Sequence, residues 1–148
     1  SLIRKVFAGI PLETVFPELG IPLGDALLAP HRSYLPVLWP VLSQSPGIVK
    51  ALAHITGGGL VENLPRVLPD GLGATIRCES WPVPALFQLI QQQGGIDPSE
   101  MYRVFNMGTG MVMICAPQDA ASLKQAIGEE VYTIGSVTPS PTKEIILA

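Results

Sequence analysis

Ala53-His54-Ile55-Thr56-Gly57-Gly58-Gly59-Leu60 decides how this chain is read. A short apolar segment runs straight into three consecutive glycines, and an amphipathic segment follows. That succession predicts a strand, a tight turn and a helix. Glycines at such a junction let the backbone take positive φ and approach a ligand with no Cβ in the way. The free N–H groups and positive dipole end of the following helix would face an anion, most often a phosphate. A strand–helix turn with no ligand uses the same residues, so both readings stand here.

Outward from this run, 48–55 reads as a strand with Val49, Ala51, Ala53 and Ile55 on one side. The helix beginning near Gly58 buries Leu60, Leu64, Val67 and Leu68, and Pro65 bends or divides it. Residues 73–78 and 111–116 read as further strands. Trp81-Pro82-Val83-Pro84 opens a helix with Val83, Leu86, Phe87 and Ile90 on one face, ended by Gly94-Gly95. Asp97-Pro98-Ser99-Glu100 is a helix start with an aspartate cap and proline at the first position. That helix is expected to run through Phe105 and stop at Asn106 or Gly108. Residues 118–127 form the last helix, and 131–137 and 144–147 the last strands. Near the N-terminus, 2–8 has helical spacing and 23–28 is a short apolar piece. In 34–42, Pro36 suits a first helical turn, whereas Pro40 is expected to kink or end the helix. The β-α order implies an α/β (α+β) fold, a mixed sheet with helices packed on it.

The second glycine cluster is Phe105-Asn106-Met107-Gly108-Thr109-Gly110-Met111. Asn106 offers both a donor and an acceptor, and Gly108 permits an unusual backbone path. Two such clusters can converge at one edge of a sheet, where open α/β sheets bind ligands. A glycine helix cap followed by strand entry is the plainer account. His54 is a candidate to touch a phosphate or carry a proton, or else a hydrogen-bonded core histidine. Arg32 can clamp a phosphate or carboxylate at two points, or serve only as a surface cation. His31, in an exposed turn, carries little weight. Asn63 either caps its helix or faces the pocket. No Ser-His-Asp set, metal-ligand cluster or Walker-type lysine is present.

The 148 residues suit one domain. Hydrophobic content is 47% and charged content 14%, so an apolar face covered by something else is expected. No apolar run approaches the ~20 residues of a membrane span, and a net charge of −3 offers nucleic acid no electrostatic footprint. Cys78 and Cys115 lack zinc or disulfide spacing and read as buried reduced thiols, as in a cytoplasmic protein. Ser1-Leu2-Ile3-Arg4 carries no initiating methionine, a start expected of something longer or processed.

Taken together, His54 to Leu60, Glu62-Asn63-Leu64-Pro65-Arg66-Val67-Leu68-Pro69, Trp81 with the helix containing Phe87, Glu100 to Met111, Gly128-Glu129 and Ile134-Gly135 form one pattern. It resembles the C-terminal half of the phosphoribosylformylglycinamidine cyclo-ligase (aminoimidazole ribonucleotide synthetase) family over nearly the whole chain. The resemblance implies a layered α/β/α domain with a mixed sheet, partly ferredoxin-like. It implies one domain over 1–148, closing one side of an active-site cleft. The N-terminal half, absent here, would supply most ATP and Mg2+ contacts and the core of a homodimer. The family closes formylglycinamidine ribonucleotide to aminoimidazole ribonucleotide in purine biosynthesis. Thr56, Gly57, Gly58 and Gly59 would then bind substrate anions through backbone N–H groups, with Asn106, Gly108 and Arg32 in the same cleft and His54 the one candidate acid or base. Two departures stand out. The family usually has Pro-Thr-Arg-Ile-Tyr where this chain reads Pro30-His31-Arg32-Ser33-Tyr34, and mostly isoleucine or valine at Thr109. The alternative is a non-catalytic nucleotide-binding or assembly domain of a related ATP-using family.

Overall fold

Local sequence signals account for most elements in the computed structural model, which describes residues 1–148. Helix α1 spans Leu2–Val6 and α2 spans Leu23–Leu28. Helix α3 spans Leu35–Gln44 with Pro36 in its first turn, and it continues through Pro40. Proline removes only one helical bond there, and both Pro36 and Pro40 are exposed, so water can satisfy the freed carbonyl. Strand β1 is Val49–His54. Helix α4, Gly59–Asn63, passes at once into a 3-10 turn over Leu64–Arg66, the division expected at Pro65.

Strand β2 is Leu72–Ile76. Helix α5 is Ala85–Gly94, closed by Gly95 at φ 56°. Helix α6, Pro98–Val104, starts with the Asp97 carboxylate accepting from the Ser99 N–H at 2.8 Å. The Ser99 hydroxyl and amide also hold that carboxyl below its usual range. Helix α6 ends before Phe105, whose extended backbone already belongs to the glycine cluster. Strand β3 is Met111–Cys115, α7 is Ala120–Ile127, β4 is Gly135–Pro139 and β5 is Ile145–Leu147.

The chain is α+β, but the five strands divide between two sheets. Strands β1 and β3 form an antiparallel pair with His54 opposite Met111. Strand β2 sits between β4, antiparallel, and β5, parallel. Both edges of β2 are therefore taken by C-terminal strands, and β1 pairs with β3 in a separate sheet. Residues 131–134 lie outside any strand. There the Thr133 carbonyl accepts from the Arg77 guanidinium and the Ile134 carbonyl from the Arg77 amide.

Two apolar clusters hold the elements together. One joins both sheets to α4 through Ala53, Ile55, Leu60, Leu64, Ile76 and Val112. The other packs α1, α2, α5 and α6 around Phe7, Leu23, Leu89, Ile90 and Met101. Full burial of side chains such as Leu60 or Ile90 contributes about 1.5–3 kcal/mol each. Cys78 and Cys115 are unpaired and only partly buried, because each lies at the fringe of a strand rather than inside a cluster.

Candidate functional site

The two glycine clusters meet where β1 ends and β3 begins. The Ile55 N–H donates to the Gly110 carbonyl at 2.9 Å, extending the β1–β3 ladder into both loops. Gly58 lies at φ 93° and Gly59 at φ 56°, conformations that glycine adopts without strain. A Cβ on Gly59 would overlap the Tyr102 carbonyl oxygen and approach that of Phe105 to 2.8 Å. The first loop is thus pressed onto the end of α6. Asn63 is buried, and its Nδ2 donates to the Gly59 carbonyl at 2.7 Å and the Gly57 carbonyl at 3.2 Å. It ties the loop together from inside instead of facing a pocket.

Thr56 and Gly57 remain exposed, so their backbone groups are reachable. The helix behind them is one turn long before it tightens, and the Glu62 side chain lies against Gly58. An arriving anion would have to move that carboxylate aside. The dipole of so short a helix adds little; any anion here is held by individual N–H groups.

In the second loop the Asn106 carboxamide oxygen accepts from the Gly108 N–H at 3.1 Å, and the Asn106 carbonyl from the Thr109 N–H at 2.9 Å. Asn106 therefore spends its acceptor on its own turn. Met107 is buried at φ 50°, uncommon for a residue with a side chain. Its carbonyl takes the Trp81 indole N–H at 2.9 Å. Gly108, at φ 92°, is exposed, and a Cβ there would run into Pro84.

The turn before α3 is the third component. The Arg32 guanidinium pairs with the Glu129 carboxylate and lies 5.4 Å from the Tyr34 ring centroid. Glu129 reinforces its protonation. The Tyr34 hydroxyl rests against the α-carbon of Gly110. The His31 Nε2 lies 2.8 Å from the His54 Nε2. His54 is exposed, so it is not a core histidine. Arg32, His54, Thr56 to Gly59, Asn106 and Gly108 thus belong to one linked region. Three members were not singled out as site residues: His31, Tyr34 and Glu129. Their sequence neighbours give no sign of partners lying so far along the chain.

Behind the loops, Tyr102 stands edge-on to Trp81 with centroids 6.3 Å apart. Burial, with the nearby Cys78, pushes its hydroxyl up to about 12, and burial also raises the Cys78 thiol. Both stay protonated at neutral pH, which leaves no ready thiolate nucleophile. No three histidine, cysteine, aspartate or glutamate side chains converge to hold a metal.

The whole chain, residues 1–148, matches the family described as AIR synthase related protein, C-terminal domain. The chain belongs to that family. It is similar to the phosphoribosylformylglycinamidine cyclo-ligase of Desulfitobacterium hafniense, with 45% identity over 93% of this chain and 41% of the relative. The enzyme of that name from Bifidobacterium animalis subsp. lactis is 43% identical over 100% of this chain and 44% of the relative. That from Shouchella clausii is 45% identical over 95% and 42%. This AIR synthase related domain thus spans less than half the length of the curated relatives it matches. None of its helices is long and apolar enough to cross a membrane.

Proposed function

We propose that this chain works as the C-terminal domain of a phosphoribosylformylglycinamidine cyclo-ligase. The full enzyme would use ATP to close formylglycinamidine ribonucleotide to aminoimidazole ribonucleotide in purine biosynthesis, as a cytoplasmic homodimer. The observation that carries this reading is similarity at about 45% identity, over nearly the whole chain, to enzymes of that name. Within the domain, Thr56 and Gly57, both exposed, and the adjoining Gly58 are the proposed anion contacts. Gly59, buried with its N–H donating to the Thr56 carbonyl at 3.1 Å, would shape the loop that presents them. Asn106, Gly108 and Arg32 line the same cleft. Arg32 reaches a substrate anion by exchanging Glu129 for it, a swap between two charge-assisted pairs of similar strength. His54 is the candidate proton carrier. The donor set here does not fit Mg2+, which wants several oxygen ligands. In line with the family resemblance, most Mg2+ and ATP contacts are assigned to an N-terminal half of the enzyme, which the domain would meet as a partner.

The assay is ATP-dependent ring closure on formylglycinamidine ribonucleotide, with and without a separately made N-terminal half. Activity in the mixture alone is the expected result. An inactive but well-folded mixed complex would favour the second reading, a non-catalytic nucleotide-binding or assembly domain. Its own support is the exposure of Leu28 (78%), Leu35 (68%) and Trp39 (62%), an apolar surface that either kind of partner would cover.

Gly58→Ala tests the loop directly. With φ at 93° and the Glu62 side chain in the way, alanine is expected to cost about 1–2 kcal/mol. Phosphate binding followed by titration should weaken with it. A variant that melts and binds like the parent sinks the role given to this loop.

A further inference from the structure

The chain contains two histidines, and the fold brings them together. They come from the turn before α3 and from the last residue of β1, with Nε2 atoms 2.8 Å apart and ring centroids 4.8 Å apart. Both are exposed. The turn carrying His31 is held independently of that contact. Tyr34 stands edge-on to His31 and rests on Gly110, and Arg32 is paired with Glu129. A ligand entering between the two rings would therefore meet groups whose backbones are already fixed.

Imidazole nitrogens bind zinc at 2.0–2.1 Å. Two nitrogens at that distance, set at a right angle around one ion, lie about 2.9 Å apart. The observed spacing matches, so a small rotation turning both lone pairs inward would suffice. We propose that His31 and His54 form a two-imidazole chelate for a divalent transition cation of the Zn2+, Ni2+ or Cu2+ class. The right-angle spacing suits the tetragonal preference of Ni2+ and Cu2+ best, and nitrogen ligands disfavour Mg2+. No third side chain of ligand type converges on the pair, so the remaining positions belong to water or to an oxygen-bearing ligand. Arg32 lies nearby, and Glu129 offsets its charge. Bound metal would join the turn to β1 and replace the single hydrogen bond between them. This site does not depend on the cyclo-ligase reading.

The experiment is calorimetric titration of Ni2+, and separately Mg2+, into tag-free protein, with His31→Thr and His54→Gln as variants. The expected result is one Ni2+ per chain, weakened roughly tenfold or more in either variant, with no Mg2+ binding at the same concentrations. The thermal midpoint should rise with Ni2+ in the parent alone. A Zn2+ titration followed by imidazole NMR reads the parent directly, and both sets of ring signals should move together. Absent binding, binding unchanged in His31→Thr, or movement of one ring alone would each overturn the proposal.

Discussion

Gly59→Ala is expected to cost about 3 kcal/mol or more and lower the melting temperature by roughly 10 °C. Two penalties coincide at this position. Left-handed backbone at φ 56° costs a residue with a Cβ about 1–2 kcal/mol. The new methyl also overlaps the Tyr102 carbonyl oxygen, and helix-terminal backbone cannot swing away as a side chain could. Separating α4 from α6 would open the junction of the two apolar clusters. Gly57→Ala is the control, because nothing lies within 4 Å of its Cβ position and its φ is not left-handed. That variant should match the parent or gain slightly. Thermal unfolding followed by circular dichroism separates the two. Equal midpoints for the two variants would rule out the close approach of the first loop to α6.

Trp81 is expected to show the next largest effect, in two separable parts. Its ring is buried in the core cluster shared by both sheets, so Trp81→Ala should cost about 3–5 kcal/mol. Trp81→Phe keeps most of the apolar contact, including the edge-on packing with Tyr102. It removes the indole N–H that serves the Met107 carbonyl. An acceptor left without its partner in a buried setting costs about 1–3 kcal/mol. The loss should be greatest at the second glycine loop, since Met107 at φ 50° has the least intrinsic preference for its conformation. Chemical denaturation measures both variants. A phenylalanine variant as stable as the parent would show that the indole bond contributes nothing.

What could be read along the chain was what neighbouring residues decide. The Asp97-Pro98 start of α6, the Gly95 stop of α5 and the break at Pro65 rest on local backbone rules, and each matches the fold. The strand at 48–55 followed by glycines was also legible, because alternation and positive φ are short-range properties. Strand partnership was not. Nothing near Leu72 reveals that β4 and β5 fill both edges of β2, or that β1 lies in a separate sheet with β3. The same limit applies at the site. Thr56 to Gly59 and Asn106 to Gly108 announce themselves as loops, whereas the partners of Arg32 and His54 are set by tertiary packing alone. Asn63 shows the same limit: its position allows either a helix cap or a pocket-facing side chain, and packing alone turns it inward to hold the loop.

The β1–β3 pair also fixes when the site comes into being during folding. A two-stranded sheet has little stability of its own, and this one joins Val49 to Cys115, far apart along the chain. Closing so long a stretch of chain costs entropy before any contact repays it. The helices can form early from local contacts, but the two glycine loops cannot meet until that closure is made. The residues proposed as anion contacts come together only with that closure. A chain stalled short of this step would carry near-native helix content with its two glycine loops still apart.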